Sequence, residues 1–368
     1  MKIVGQFSKI LGWQTNRKIL LFISDDWGGV RIRSTEDRQS MIRKGILIND
    51  NRFDRYDGLE SNKDLEDLFE VLLSYRDQSG NNPVITPACN VANPDFKRIK
   101  HNGFRDYYYE PFTETLRRYP LSDRVYNLYK KGIELNIFKP EFHGREHLNV
   151  NWWLENFQAD NKMIRSAFDH EFWHLPAKHL SNPLHRGLVA SYDIKTLEEV
   201  KSQTETVNDG ARLFKELFGY SSKLFIPPAQ HFHKNLEKGI AEAGFKMIDV
   251  PRLRKMPLGH GKFRTKLHYL GQRSNVGLRY LTRNVVFEPN LNEKFTGVNE
   301  CLADIEQAFR FKKPAIISNH RAAFTGRLES RNREKGLYAL TQLLSSVLKR
   351  WPDIEFMSAS SFSDILNS

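Results

Sequence analysis

The chain has 368 residues, of which 40% are hydrophobic and 27% charged, an ordinary globular composition with enough apolar material for a large core. Its formal charge of +12 and pI near 9.5 suit anionic partners. No helix-turn-helix, zinc-finger or RNA-recognition pattern accompanies that charge, so nucleic acid is not an expected partner.

The first strong signal is the apolar run Lys18–Ser24, which reads as a buried strand and stops at Asp25, Asp26 and Trp27-Gly28-Gly29. Asp64–Leu73 follows with helical spacing, then a strand at Pro83–Pro87 and a loop holding Asn90, Asn93 and Asp95. His101–Arg118, aromatic and charged, reads as an insertion, either plain surface or a lid facing substrate. A helix near Val125–Lys130 ends at Gly132, and a strand over Leu135–Phe142 leads into His143-Gly-Arg-Glu-His147. Later strand-like runs are Leu224–Pro228, Lys246–Val250, Val285–Phe287, Ala315–Ser318 and Ile354–Ser358. Helices are expected near Leu197–Phe218, Asn235–Ala243, Asn299–Phe311 and Lys335–Arg350. This alternation predicts an α/β fold with a parallel sheet, and a single-domain barrel over 1–368 suits the length.

Cys89 and Cys301 are too few for a disulfide framework and fit a reducing compartment. No stretch approaches the roughly 20 apolar residues of a membrane-spanning helix. The apolar residues of Met1–Gly12 are interrupted where a secretory leader would be continuous. The expected location is cytoplasmic.

Two adjacent carboxylates at a strand's carboxyl end repel each other, so a metal, a cation or a shared proton must hold them. His143 and His147, four apart, would share one face of a helix and converge on one ion, with Asp26 or Asp25 as third ligand. His320, ending the run Pro314–Asn319, suits a general acid across that ion. Two zincin patterns compete. His143–His147 also reads H-x-x-E-H with Glu146 as base, and His170-Glu171-Phe-Trp-His174 reads H-E-x-x-H, with Glu198 or Glu199 downstream. Against the second, Pro176 stops a helix two residues after His174.

Together, Ser24-Asp25-Asp26, His143-x-x-x-His147, Phe225-Ile-Pro-Pro228 and Ile317-Ser-Asn-His320 resemble the polysaccharide deacetylase family, the NodB-homology or carbohydrate esterase family 4 enzymes, in that family's order. The resemblance runs over about 18–365, with insertions near 31–62, 101–120 and 251–280. It implies a distorted (β/α) barrel, usually of seven strands. It also implies Asp25 as base, Asp26, His143 and His147 as ligands of a divalent metal (zinc the expected ion), and His320 as acid. The implied activity is hydrolysis of an N-acetyl group from a glycan or sugar. With the basic charge, we expect an intracellular step in surface-glycan synthesis on an anionic nucleotide- or lipid-linked sugar. A non-catalytic glycan-binding barrel is the other reading.

The chain departs from the family pattern in three places. Gly144 stands where Ser or Thr is usual, and Ile226 where an Arg orients the base. The aspartate-rich fourth motif has no match near Arg283–Glu288. Arg321 or Arg145 is the expected substitute for the missing guanidinium.

Overall fold

The computed structural model describes residues 11–46, 52–181, 187–289 and 297–367. Among these residues, nine strands form one sheet in which every pairing is parallel. They are β1 (Lys18–Trp27), β2 (Ile85–Cys89), β3 (Glu141–Phe142), β4 (Leu224–Phe225), β5 (Met247–Asp249), β6 (Arg279–Leu281), β7 (Val285–Val286), β8 (Ala315–His320) and β9 (Ile354–Phe356). The order is β6-β5-β4-β3-β2-β1-β8-β7, with β9 added to the first residues of β1. The two end strands, β6 and β7, are separated in sequence only by Thr282, Arg283 and Asn284. Four peptide steps span no more than about 14 Å, so the ladder must curl until its ends approach. The result is the distorted (β/α) barrel expected from the sequence.

Packed around the sheet are α1 (Asn62–Leu73), α2 (Val125–Glu134), α3 (Glu199–Phe218), α4 (Val298–Arg310) and α5 (Ser330–Arg350). The start of α1 is set by a capping box: Ser61 accepts from the Asp64 amide, and the Asp64 carboxylate accepts from the Ser61 amide. Its Leu65, Leu68, Phe69 and Leu72, at helical spacing, are buried against the sheet. Cys89 and Cys301 are both buried and unpaired.

The expected strand over Leu135–Phe142 is cut to two residues. Asn136 takes a left-handed turn (φ 54°) at the end of α2, and Pro140 has no N–H to give a ladder. Aromatic segments that gave no clear sequence signal build a second cluster beside the barrel mouth. Helices Val150–Gln158 and Lys162–Phe168 bring Trp153, Phe157 and Phe168 together with Phe172 and Trp173. The His101–Arg118 insertion is no lid: Tyr109–Pro111 pairs with Ala92–Pro94, and Phe112 is buried in the main core. Among the described residues, none of the insertion lines the cleft that holds the acids.

Candidate active site

Successive side chains of a regular strand point to opposite faces, yet Asp25 and Asp26 line the same cleft. The strand solves this with a bulge. The register of β1 against β2 shifts between Ser24 and Trp27, and Asp26 has φ 76°. A left-handed non-glycine residue costs on the order of 1–3 kcal/mol, a strain that the surrounding fold must sustain.

His143 and His147 meet through a turn, not through the helix that their spacing suggests. The His143 amide donates to the Cys89 carbonyl (2.9 Å). Gly144 then adopts φ +95°, a conformation that favours glycine. Nε2 of His143 and Nε2 of His147 each lie 3.3 Å from Oδ1 of Asp26. Nδ1–H of His143 donates to the Ile226 carbonyl (2.7 Å), which leaves Nε2 as the lone-pair nitrogen. His147 stacks on Trp173 with ring centroids 6.0 Å apart, and its Nδ1 is buried without a partner among the described residues.

Burial raises the Asp26 carboxyl, but its close contacts with the two imidazoles outweigh it and hold the group well below the usual carboxylate range. Burial pushes His147 below its ordinary value despite the Asp26 charge. An ionised carboxylate beside a neutral imidazole is the donor state a cation requires. Tetrahedral coordination with bonds of 2.0–2.2 Å separates ligand atoms by about 3.4 Å, close to both 3.3 Å contacts. The donor set therefore fits a divalent ion.

Across the cleft, Arg283 grips Asp25 with two hydrogen bonds: Nη1 to Oδ2 (2.7 Å) and Nη2 to Oδ1 (2.8 Å). Nη2 also pairs with Oδ2 of Asp249 at the end of β5 (2.9 Å), and Nη1 donates to the Ser318 hydroxyl (3.1 Å). Burial raises the Asp25 carboxyl, and the Arg283 guanidinium more than reverses this, with smaller help from His143 and His320. His320 ends β8 directly opposite Asp25 in register, with Nε2 3.9 Å from Oδ2 of Asp25. Its Nδ1 contacts Glu288, and its ring packs on Phe53 at 4.6 Å. Burial lowers His320, but the Glu288 charge and hydrogen bond, with Asp26 and Asp25 behind them, push it up to about 9.

The guanidinium that orients Asp25 is thus Arg283, not Arg321 or Arg145. Arg321 is buried between Asp57 and Glu60 (2.8 and 2.7 Å). Arg145 pairs with Glu146 and Asp209, which also occupies the alternative zincin base. Arg283, Asp249 and Glu288 escaped the sequence reading. The available signal was polar residues at the ends of strand-like runs, with nothing to show which faced inward.

The H-E-x-x-H residues do not form a metal site. Helix Lys162–Phe168 ends before them, Glu171 has φ 52°, and the stretch to Leu175 is irregular. His170 contacts Asp37 (2.8 Å), while His174 lies against Arg31 (3.0 Å) and Asp54 (3.4 Å). Arg31, Phe53 and His174 instead form one wall of a cleft of about 670 Å³ that contains both aspartates, His143, His147 and His320. Among the described residues, Asp26, His143 and His147 are the group of such side chains close enough to hold one ion.

No family model matches the chain, and no curated relative does. Similarity is found among solved structures. A protein of Parabacteroides distasonis assigned as a glycoside hydrolase/deacetylase shares 7% identity and a TM-score of 0.50 over 96% of this chain and 72% of its own. A protein of Mycobacterium smegmatis assigned as a polysaccharide deacetylase shares 9% identity and a TM-score of 0.44 over 97% and 92%. A 4-alpha-glucanotransferase of Thermococcus litoralis shares 10% identity and a TM-score of 0.47 over 95% and 40%. At these identities the likeness concerns the fold.

Proposed function

We propose that the protein is a metal-dependent hydrolase that removes an N-acetyl group from a glycan or sugar. The observation that carries this reading is the arrangement around β1. Asp26 Oδ1 stands 3.3 Å from two imidazole nitrogens, while Asp25 and His320 face each other at 3.9 Å over the same cleft. Asp26, His143 and His147 would hold the ion, zinc being the expected one for N/O donors. A bound divalent ion supplies Lewis-acid polarisation and a lower pKa for water.

The chain's own groups supply the proton transfers. Asp25, kept ionised and fixed by Arg283, takes a proton from the water that attacks the acetamide carbon. His320, kept protonated by Glu288, gives a proton to the sugar nitrogen as the C–N bond breaks. Acetate and a free amine result. The motif order of the polysaccharide deacetylases supports the same roles, and the name of the Parabacteroides distasonis neighbour accords with them. We keep the cytoplasm as the expected compartment, since both cysteines are buried as free thiols, and surface-glycan synthesis as the expected pathway class.

The test is metal analysis of the purified protein beside Asp26→Ala and His143→Ala, with acetate release from N-acetylated sugars measured in parallel. One ion per chain, lost in both variants together with hydrolysis, is the expected result. Full metal content in either variant would remove that residue from the ion's shell.

A further inference from the structure

Between Asp249 and Glu288 the chain holds six arginines and three lysines and not one Asp or Glu, against a net formal charge of +12 for the whole protein. Part of that charge serves the fold and the site: Arg283 holds Asp25, and Arg254 is buried against Glu237 at 2.9 Å. Four of the others stand on a hairpin, Leu253–Gly259 paired antiparallel with Lys262–Leu267. Lys255, Lys262, Arg264 and Lys266 are all exposed, and no carboxylate pairs with them among the described residues.

Apolar side chains are interleaved with these cations. Leu253 (64% exposed) lies directly opposite Leu267 (38%), with Leu258 (39%) further along the same strand and Val276 (40%) in the loop beyond. Scattered exposed leucines need no explanation; here alternation puts Leu253, Leu267 and Lys255 on one face and Lys262, Arg264 and Lys266 on the other. Because the strand Lys262–Leu267 is exposed on both faces except at half-buried Phe263, its edge presents cations and leucine together. The hairpin is rooted at the cleft. Pro251 and Arg252 immediately before it line the cleft, as do Arg283–Val286 after it.

We propose that the hairpin Leu253–Leu267 is a docking surface for membranes containing anionic phospholipid. Lipid phosphates complement the unpaired lysines and arginine, and the leucines reach the acyl boundary. A soluble polyanion would answer the charge and leave the leucines in water. No helix among the described residues is long and apolar enough to cross a membrane, so the attachment is peripheral. Docking here brings the cleft mouth to the bilayer, where a lipid-linked glycan would present its N-acetyl group. That last step rests on the deacetylase reading, and the docking itself does not.

The experiment is co-sedimentation of the full chain with vesicles of phosphatidylcholine alone and of phosphatidylcholine with phosphatidylglycerol, at low and high salt. It is repeated for the double variants Lys255→Glu/Lys266→Glu and Leu253→Ser/Leu267→Ser. Binding should require phosphatidylglycerol, weaken with salt, and fall about tenfold or more in each double variant. Melting temperature and turnover of a soluble N-acetylated sugar should stay as in the parent. Binding indifferent to phosphatidylglycerol overturns the proposal. So does binding lost with the lysines, untouched by the leucine changes and abolished by a soluble anionic polysaccharide, because the surface then recognises polyanions. Sedimentation needs no catalysis, so docking is tested even if the protein hydrolyses no N-acetyl sugar.

Discussion

Asp25 is held at both carboxylate oxygens by one guanidinium, and that grip sets both its ionisation and its direction. Asp25→Asn keeps the shape and removes the basic oxygen. The expected outcome is an unchanged metal content with hydrolysis slowed by about a hundredfold or more; loss of the ion would place Asp25 in the coordination shell. His320 works from the opposite protonation state. Its pKa of about 9 keeps the imidazolium at neutral pH, so under the proposed acid role turnover should decline as pH climbs past that value. Glu288 is the first influence that raises it against burial. In Glu288→Gln the alkaline limb of the kcat/KM profile should therefore move to lower pH, and an unmoved limb would detach His320 from the acid role.

At the scale of elements, the site depends on two interruptions of regular structure. The bulge in β1 turns Asp26 into the cleft beside Asp25, and the turn after β3 swings His147 back towards His143. The stretch His170–His174 shows the converse. Its spacing is that of a zincin helix, yet burial of Phe172, Trp173 and Leu175 in the aromatic cluster holds it out of helix. Replacing His170 and His174 together by Gln should leave metal stoichiometry as it is, measured by elemental analysis. An ion that disappears with them would revive the zincin reading.

Across the whole molecule, burial sets a pH dependence of stability apart from the active site. Glu141 on β3 is fully buried, and burial pushes its carboxyl up to about 7, even though it accepts from the Ser222 hydroxyl and the Lys223 and Leu224 amides. An unfolded Glu titrates near 4.3, so between about 4.3 and 7 the unfolded chain ionises this group and the folded chain does not. The folded state binds more protons there, and stability falls as pH rises. Glu141→Gln should flatten that fall, read as the change in denaturation midpoint between pH 4.5 and pH 7.5. An equal slope in the parent and the variant would count against it. The sheet's closure is the other whole-molecule property. Because Thr282–Asn284 bridges its two ends, Arg283 reaches Asp249 on β5, Ser318 on β8 and Asp25 on β1 together.

Apolar runs and helical spacing sufficed to read the parallel α/β architecture, since they report which face of each element is buried. The sequence by itself also marked Asp25, Asp26, His143, His147 and His320, because polar groups that end apolar strands are conspicuous against them. Tertiary structure decided which polar residues meet. The Arg283–Asp25 contact joins positions 258 residues apart, and Glu288 and Asp249 are single carboxylates whose partners emerge only when the sheet curls. The same holds for backbone conformation. Nothing in the local pattern distinguishes a turn from a helix at His143–His147, or shows the left-handed Asp26. Periodicity describes one element at a time, whereas convergence on an ion depends on the register between strands and on where the sheet closes.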